Sequence, residues 1–323
     1  MIDQFRGARV CAIGGLGFIG VNLAERLLAE GADVTILTPL RERHADQADA
    51  FEQRGARIVE GDVRDRELML TLIEGQQLVF NLSGQSGAAR SMDDPWTDLD
   101  VNLRGNLAIL EAIRGARSRP KLIFAGSRLQ YGRPERLPVK EDDAGKPLSV
   151  HAVHKRTVEE YLQLYAQLFD VDYAIARITN PYGPGQPTGR TAYGVINRLI
   201  HLALADQPLT IYGAGTQLRD YVHVADVVDA LMAMALSTAA TRRAYNVATG
   251  VGARMIDVAR DIIEIAGGGR VEHVAWPPLV HQIETGDFVA DISRARQELG
   301  WSPKRQLRTG LEETVAHYRA AVA

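Results

Sequence analysis

Gly14, Gly17 and Gly20 are the residues whose type and spacing point most directly to chemistry; they lie in the run GGLGFIG. An apolar strand-like segment, Ala8–Ile13, enters this run, and a helix-like segment, Val21–Ala29, leaves it. A strand that turns straight into a helix around glycines so spaced is a phosphate cradle. Gly14 permits the tight turn, Gly17 lets the backbone approach a pyrophosphate, and Gly20 lets the new helix lie close against the strand. The first N–H groups of that helix, with Phe18 and Ile19 among its opening residues, lack intrahelical acceptors and turn toward the anion. The run is read as a dinucleotide-binding turn.

Such a turn works only at the edge of a parallel sheet, and the chain supplies one. Strand-like runs recur at Val34–Leu37, Arg57–Val59, Leu78–Leu82, Leu122–Ala125 and Tyr173–Ile178, each gap being wide enough for a helix. That alternation implies an α/β fold with a doubly wound parallel sheet, whose ligands bind beyond the carboxyl ends of the strands. The residues at those ends are Gly14–Gly20, Thr38, Asp62, Ser83–Gln85, Ser127 and Asn180. After Ile178 the run NPYGPGQPTG is rich in turn formers, so residues 1–178 are read as the dinucleotide-binding portion and 179–323 as a smaller substrate-binding portion. The segment 221–250 again reads strand, helix, strand (Tyr221–Val224, Val227–Leu236, Tyr245–Ala248) and is expected to rejoin the first sheet.

Composition narrows the partners. A chain of 323 residues, 46% apolar, buries a full core. Its 37 basic and 40 acidic residues give a net charge of −3 with no basic block, which argues against nucleic acid. The single cysteine, Cys11, falls in the first strand, so no intrachain disulfide and no cysteine-based metal site is expected. With no signal pattern and no apolar run of the ~18 residues that a spanning helix needs, a soluble cytoplasmic protein with no membrane partner is expected.

Seven stretches, in order, resemble the extended short-chain dehydrogenase/reductase family of NAD-dependent nucleotide-sugar epimerases and dehydratases. They are GGLGFIG, EGDVRD (Glu60–Asp65), DPWTDLDVNLRGN (Asp94–Asn106), AGSRLQYG (Ala125–Gly132), RITNPYGP (Arg177–Pro184), IYGAGTQLRDYVHVADV (Ile211–Val227) and LGWSP (Leu299–Pro303). The resemblance implies a Rossmann-type sheet with Gly14, Gly17 and Gly20 on the cofactor pyrophosphate. Asp62 and Val63 would contact adenine, and Ser83 and Asn102 would lie near nicotinamide. It implies that Ser127 hydrogen-bonds the sugar hydroxyl undergoing oxidation, that Asn180 and Arg219 hold the nucleotide diphosphate, and that Tyr212 and Asp291 belong to the same substrate cover. It also implies a homodimer built on the helices Leu99–Arg114 and Val158–Leu168.

One position departs from the family. Where the family carries Tyr-x-x-x-Lys, this chain reads His151-Ala-Val-His154-Lys155. Spacing of i to i+4 keeps His151 and Lys155 on one helix face. An imidazole, with a pKa near 6.5, has a free base at neutral pH without help from a lysine. His151 is therefore either the acid/base or a space filler. His154 is expected at the surface or an interface. Tyr131 could in principle substitute as the acid, but in the family that position packs beside the site, and that role is expected here.

Related dehydratases place an Asp-Glu pair directly after the Ser/Thr, to remove one proton and donate another; here those places hold Arg128 and Leu129. Chemistry that needs only hydride transfer and one proton relay remains, and epimerisation of a nucleotide-diphosphate sugar through a 4-keto intermediate comes first. A keto-sugar reductase or dehydrogenase, and a dinucleotide-binding sensor or partner subunit, are the other readings. Thr38 replaces the acidic residue that commonly ends the second strand of NAD proteins, and Arg41 and Arg43 follow. NAD is the expected cofactor, with NADP open. The loops Ser83–Arg90, Gln186–Tyr193 and Trp276–Gln282 are expected to shape the pocket.

Overall fold

In the computed structural model, which describes residues 4–186 and 194–322, the strands are β1 (Arg9–Ile13), β2 (Asp33–Thr38), β3 (Arg57–Glu60), β4 (Leu78–Asn81), β5 (Lys121–Ser127), β6 (Tyr173–Ile178), β7 (Asn180–Tyr182), β8 (Pro208–Tyr212), β9 (Leu218–His223), β10 (Arg243–Val247), β11 (Gly252–Arg254) and β12 (Arg270–Val274). Seven of them form one wholly parallel sheet in the order β10-β6-β5-β4-β1-β2-β3. The order reverses between β1 and β4, which opens a crevice at their carboxyl ends. The chain is thus a Rossmann-type α/β protein.

Both faces of the sheet are covered, and the strand sequences show why. In β1, Val10 and Ala12 enter one core while Cys11 and Ile13 enter the other, as the two-residue period requires. The first core is closed by Leu23 and Leu27 of the Phe18–Ala29 helix and by Val227 and Leu231 of the Val224–Leu236 helix. Ile109 and Ile113 of the Gly105–Gly115 helix and Val158 and Leu162 of the Val150–Phe169 helix close the second. Cys11 is buried, and burial pushes its thiol up to about 12, so it is an inert core residue.

Of the segment 221–250, only β10 lies in the main sheet, beside β6. β9 instead pairs with β7 and β11, and β8 pairs with β12. A separate core of Tyr182, Ile200, Ile211, Tyr221, Ile262 and Leu311 lies beneath these short sheets. The helical stretch read as Leu99–Arg114 is longer and less regular: Pro95–Leu99 passes through a wider π-type turn at Asp100–Arg104 into Gly105–Gly115. Asn102 sits in that turn. From residue 187 onward, the Gln186–Tyr193 loop lies outside the described residues. No described helix is long and apolar enough to cross a membrane.

Asp220, in β9, ties the short sheets to the main one. Its buried carboxylate accepts from Thr249 N (2.8 Å), Thr249 Oγ1 (2.7 Å), Gly250 N (2.9 Å) and Ala290 N (3.2 Å). Asp220→Ala strands three backbone donors and is expected to cost on the order of 3 kcal/mol in urea unfolding. A change within experimental error would show that this junction is not held by the carboxylate.

Candidate functional site

The glycine turn occupies the β1 side of the crevice. Gly14 has φ +77°, a conformation that side chains resist, and a Cβ there would lie 2.9 Å from Ser83 N. At Gly20 a Cβ would lie 2.5 Å from Gly14 O and 2.6 Å from Gly15 Cα. The Phe18–Ala29 helix starts at Gly17 with no side-chain cap and no acidic residue in its first turn, leaving its opening donors free for an anion.

Thr38 is buried at the end of β2, and its hydroxyl accepts from Leu40 N. Arg41 does not face an open phosphate place: its guanidinium is bound by Glu52 at 2.7 and 2.9 Å and lies 3.4 Å from Asp49. Asp62 follows β3, where Arg64 grips it through both carboxylate oxygens; the Arg64 side-chain bond holds the carboxyl below its ordinary range. Val63 is buried, and a Cβ at Gly105 would meet its methyl at 2.6 Å. Ser83 Oγ donates to Asn81 Oδ1 (2.7 Å), Asn81 donates to Asn106 (2.7 Å), and Asn106 donates to Asn102 O (2.7 Å). This buried relay fixes Asn102, whose amide donates to Gln85 O at 2.8 Å while its Oδ1 has no hydrogen-bond partner among the described residues.

His151 and Lys155 come from the Val150–Phe169 helix, which Ser149 caps through Ala152 N. Both are buried, and both lie on the face turned to the sheet. Lys155 Nζ donates to Ala125 O (2.9 Å) and sits 4.7 Å from the Phe124 ring centre; burial pushes its pKa down to about 8. Ser127 ends the same strand two residues later, its Oγ accepting from Leu129 N. The His151 backbone N–H donates to Ser91 Oγ (3.0 Å), and its Nδ1 lies 3.4 Å from Asn102 Nδ2 and 3.6 Å from Asp98 Oδ2.

One expectation from sequence needs correcting. His154 is not a surface residue: only 12% of its side chain is exposed, and its Nδ1 lies 2.7 Å from Asp98 Oδ1. Three residues on from His151, it falls on the flank that meets the Pro95–Leu99 helix. Tyr131 packs beside the site. Its hydroxyl donates to Asn246 (2.7 Å), accepts from Arg177 (2.8 Å), and is pushed well above the phenol range by burial.

At the β6 end, Arg128 is buried, donating to Asn180 Oδ1 (3.3 Å) and Thr285 Oγ1 (2.9 Å), with its guanidinium 5.1 Å from the Phe288 ring centre. Asn180 also donates to Asp220 O (2.9 Å). Arg219 reaches Glu284 and Gly286 O, and burial together with Arg219 lowers the Arg128 pKa to about 10. Tyr212 and Asp291 do not hydrogen-bond into this cluster. Tyr212 stacks on Trp276 at 5.2 Å, and Asp291 accepts from Ser293 N (2.7 Å) at the start of a helix. Sequence reasoning missed Asp98 and treated Arg128 only as a lost carboxylate. Arg128 was detectable as an arginine directly after Ser127, whereas nothing local marks Asp98.

A glycine cradle and uncapped helix at the switch point of a parallel sheet define a dinucleotide-binding chain of the Rossmann class. Comparison with known proteins resolves the class further. The description "NAD dependent epimerase/dehydratase family" matches residues 10–248, and the chain belongs to that family. Over 314 residues it is 34% identical to the UDP-glucose 4-epimerase of Mycolicibacterium smegmatis, covering 96% of this chain and 98% of that one. Among solved structures it is similar to the UDP-glucose 4-epimerase of Thermus thermophilus in complex with NAD (TM-score 0.85, 31% identity, 97% and 99% of the two chains covered). It is also similar to that of Thermotoga maritima with UDP-glucose (TM-score 0.88, 28% identity, 97% and 99% covered).

The cradle makes a direct prediction. Because the added Cβ would meet backbone rather than a movable side chain, Gly20→Ala is expected to destabilise the fold by about 1–3 kcal/mol and to weaken NAD binding measured by calorimetry on cofactor-free protein. Unchanged affinity would show that the helix need not lie so close.

Proposed function

We propose that the chain is a nucleotide-sugar 4-epimerase in which His151 replaces the usual phenol as acid/base. The observation that carries this reading is the placement of His151 and Lys155, buried on one helix face, against the strand that ends in Ser127. The names of the relatives support the substrate class, a nucleoside-diphosphate sugar, and Arg128, Arg219 and Asn180 offer a cationic, donor-rich end suited to a diphosphate.

The residues fit a nicotinamide dinucleotide. Gly14, Gly17, Phe18, Ile19 and Gly20 would hold the pyrophosphate, with Thr38, Asp62 and Val63 on the adenosine side. Ser83, Asn102 and Lys155 would hold the nicotinamide side, where Asn102 Oδ1 awaits a donor. Bound NAD supplies a reversible hydride acceptor. Ser127 Oγ hydrogen-bonds the sugar hydroxyl, and His151 takes its proton as the hydroxyl carbon is oxidised to the 4-keto sugar. His151 then returns the proton as the opposite face is reduced, so the product is an isomer and the cofactor ends as it began.

Purified protein with NAD and a panel of UDP-, dTDP-, GDP- and CDP-sugars is expected to yield a new isomer of unchanged mass, separated by chromatography. His151→Ala is expected to reduce turnover by roughly 100-fold or more, and His151→Tyr to lower it too. A rise in turnover on His151→Tyr would mean that the imidazole is a space filler. Unchanged substrates throughout the panel would favour a binding protein.

We also infer a homodimer. Val153 (47% exposed), Leu164 (45%) and Leu168 (58%) line the outer face of the Val150–Phe169 helix, with Trp96 (76%) presented nearby on the Pro95–Leu99 helix that packs on it. Leu164→Glu with Leu168→Glu is expected to convert a dimer to a monomer in light scattering. A wild-type monomer would dismiss the inference.

A further inference from the structure

An imidazole in a phenol's place raises a problem that a phenol does not. A phenol has one oxygen, whereas an imidazole has two nitrogens, and it serves as a base toward substrate only if its proton sits on the nitrogen turned away. Something in the protein has to specify the tautomer.

Asp98 lies where it can. It is buried, on the short Pro95–Leu99 helix that packs against the Val150–Phe169 helix, and its two carboxylate oxygens divide between the two histidines. Oδ1 lies 2.7 Å from His154 Nδ1, and Oδ2 lies 3.6 Å from His151 Nδ1. Oδ2 has no hydrogen-bond partner among the described residues. Burial works to raise the Asp98 carboxyl, but His151, Asn102 and His154 together hold it below its ordinary range, so it is a carboxylate.

His151 Nδ1 has one competing neighbour, Asn102 Nδ2 at 3.4 Å, an amide already committed to Gln85 O at 2.8 Å. The two arrangements differ in what they leave unmade. With the proton on Nε2, Nδ1 accepts a long, neutral contact from Asn102 and a buried carboxylate oxygen stays without a donor. With the proton on Nδ1, the long contact is lost and Oδ2 gains a charge-assisted donor once the 3.6 Å separation closes by roughly 0.4–0.9 Å to ordinary hydrogen-bond length. Leaving a buried charged acceptor unsatisfied costs more than a stretched neutral bond returns. His151 Nε2 makes no hydrogen bond within the described residues and is left for substrate.

We propose that Asp98 is a positioning residue that fixes the proton of His151 on Nδ1 and stabilises the imidazolium formed when Nε2 takes the substrate proton. This rests on the reading of His151 as acid/base. Lys155 on the same helix and His154 across Asp98 do not compete with Oδ2 for the Nδ1 proton: an ammonium offers no acceptor, and His154 turns its own Nδ1 to Asp98 Oδ1.

The test is side-chain 15N–1H correlation of the histidines in the NAD-loaded protein, with pH–rate profiles of the wild type, Asp98→Asn and His154→Gln. Neutral wild-type His151 is expected as the Nδ1–H tautomer; an Nε2–H tautomer overturns the proposal whatever the variants do. A nearby carboxylate favours the Nδ1–H form facing it, so Asp98→Asn is expected to shift neutral His151 toward the Nε2–H tautomer. The ascending limb of log kcat should move to lower pH, and the plateau should fall by about 10-fold or more. His154→Gln, which leaves Oδ2 in place, is expected to keep the wild-type limb. If His154→Gln reproduces the loss while the His151 tautomer stays fixed in both variants, Asp98 only ties two helices and the proposal fails. Full activity in His151→Ala would instead remove the acid/base reading itself, and that outcome is distinct.

Discussion

A buried cation organises the carboxyl edge of the sheet. The Lys155 ammonium is out of water, with one backbone acceptor, Ala125 O, an aromatic face at Phe124, and the fields of Asp98 and Glu159 to offset its desolvation. Those partners come from three different elements, so satisfying the charge fixes how the Val150–Phe169 helix sits on β5. The same face, four residues on, carries Glu159, which accepts from Gln130 (2.7 Å) and Arg177 (2.7 Å) beneath the sheet edge. Four residues back it carries His151. A helix pinned at two successive turns cannot rotate without breaking a buried charge pair. The position of His151 relative to Ser127 is therefore set by core electrostatics rather than by a loop.

Local features were legible in the sequence and distant ones were not. The glycine turn could be read because its physics is complete within seven residues: a positive φ at Gly14 and a backbone contact at Gly20. The strands were legible because a parallel sheet buried on both faces demands near-continuous apolar runs, as Leu122–Phe124 displays. Partnering of the later strands was hidden. β9 carries no local mark of its partners, and its pairing with β7 and β11 depends on Asp220 meeting Thr249, Gly250 and Ala290, far along the chain. Asp98 escaped for the same reason: 53 residues separate it from His151, and in sequence it is one acid among several in DPWTDLDVN. His154 was misjudged because a three-residue offset marks a flank, and only packing shows whether a flank is covered.

At the other end of the crevice, the residue after Ser127 decides what chemistry the site can support. A carboxylate there would give a second base near the substrate. Arg128 gives a buried cation facing Arg219, with the carboxylates near it already engaged, Glu284 by Arg219 and Asp220 by Thr249, Gly250 and Ala290. Two guanidiniums in a low-dielectric place repel one another, and an anion between them relieves that repulsion. The same feature that suits a diphosphate removes the means of a second proton abstraction, which is why proposed epimerisation, with its single relay, suits the site better than elimination.

The persistence of Lys155 beside an altered acid/base follows from separating its two tasks. A phenol with a pKa near 10 needs an adjacent cation to become a base at neutral pH, and an imidazole needs none; for the imidazolium, a neighbouring cation is a hindrance. If activation were the whole reason for the lysine, a histidine at position 151 would free position 155 to change. But the Nζ–Ala125 bond, the Phe124 contact and the field of Glu159 hold the helix on the strand, and the proposed contact with the cofactor uses the same ammonium. Asp98, between His151 and His154, is placed to supply the negative charge that the proposed imidazolium requires and a phenolate does not. On this account the exchange of phenol for imidazole reverses the sign of the charge formed during proton transfer, and a buried carboxylate rather than a lysine becomes its natural partner.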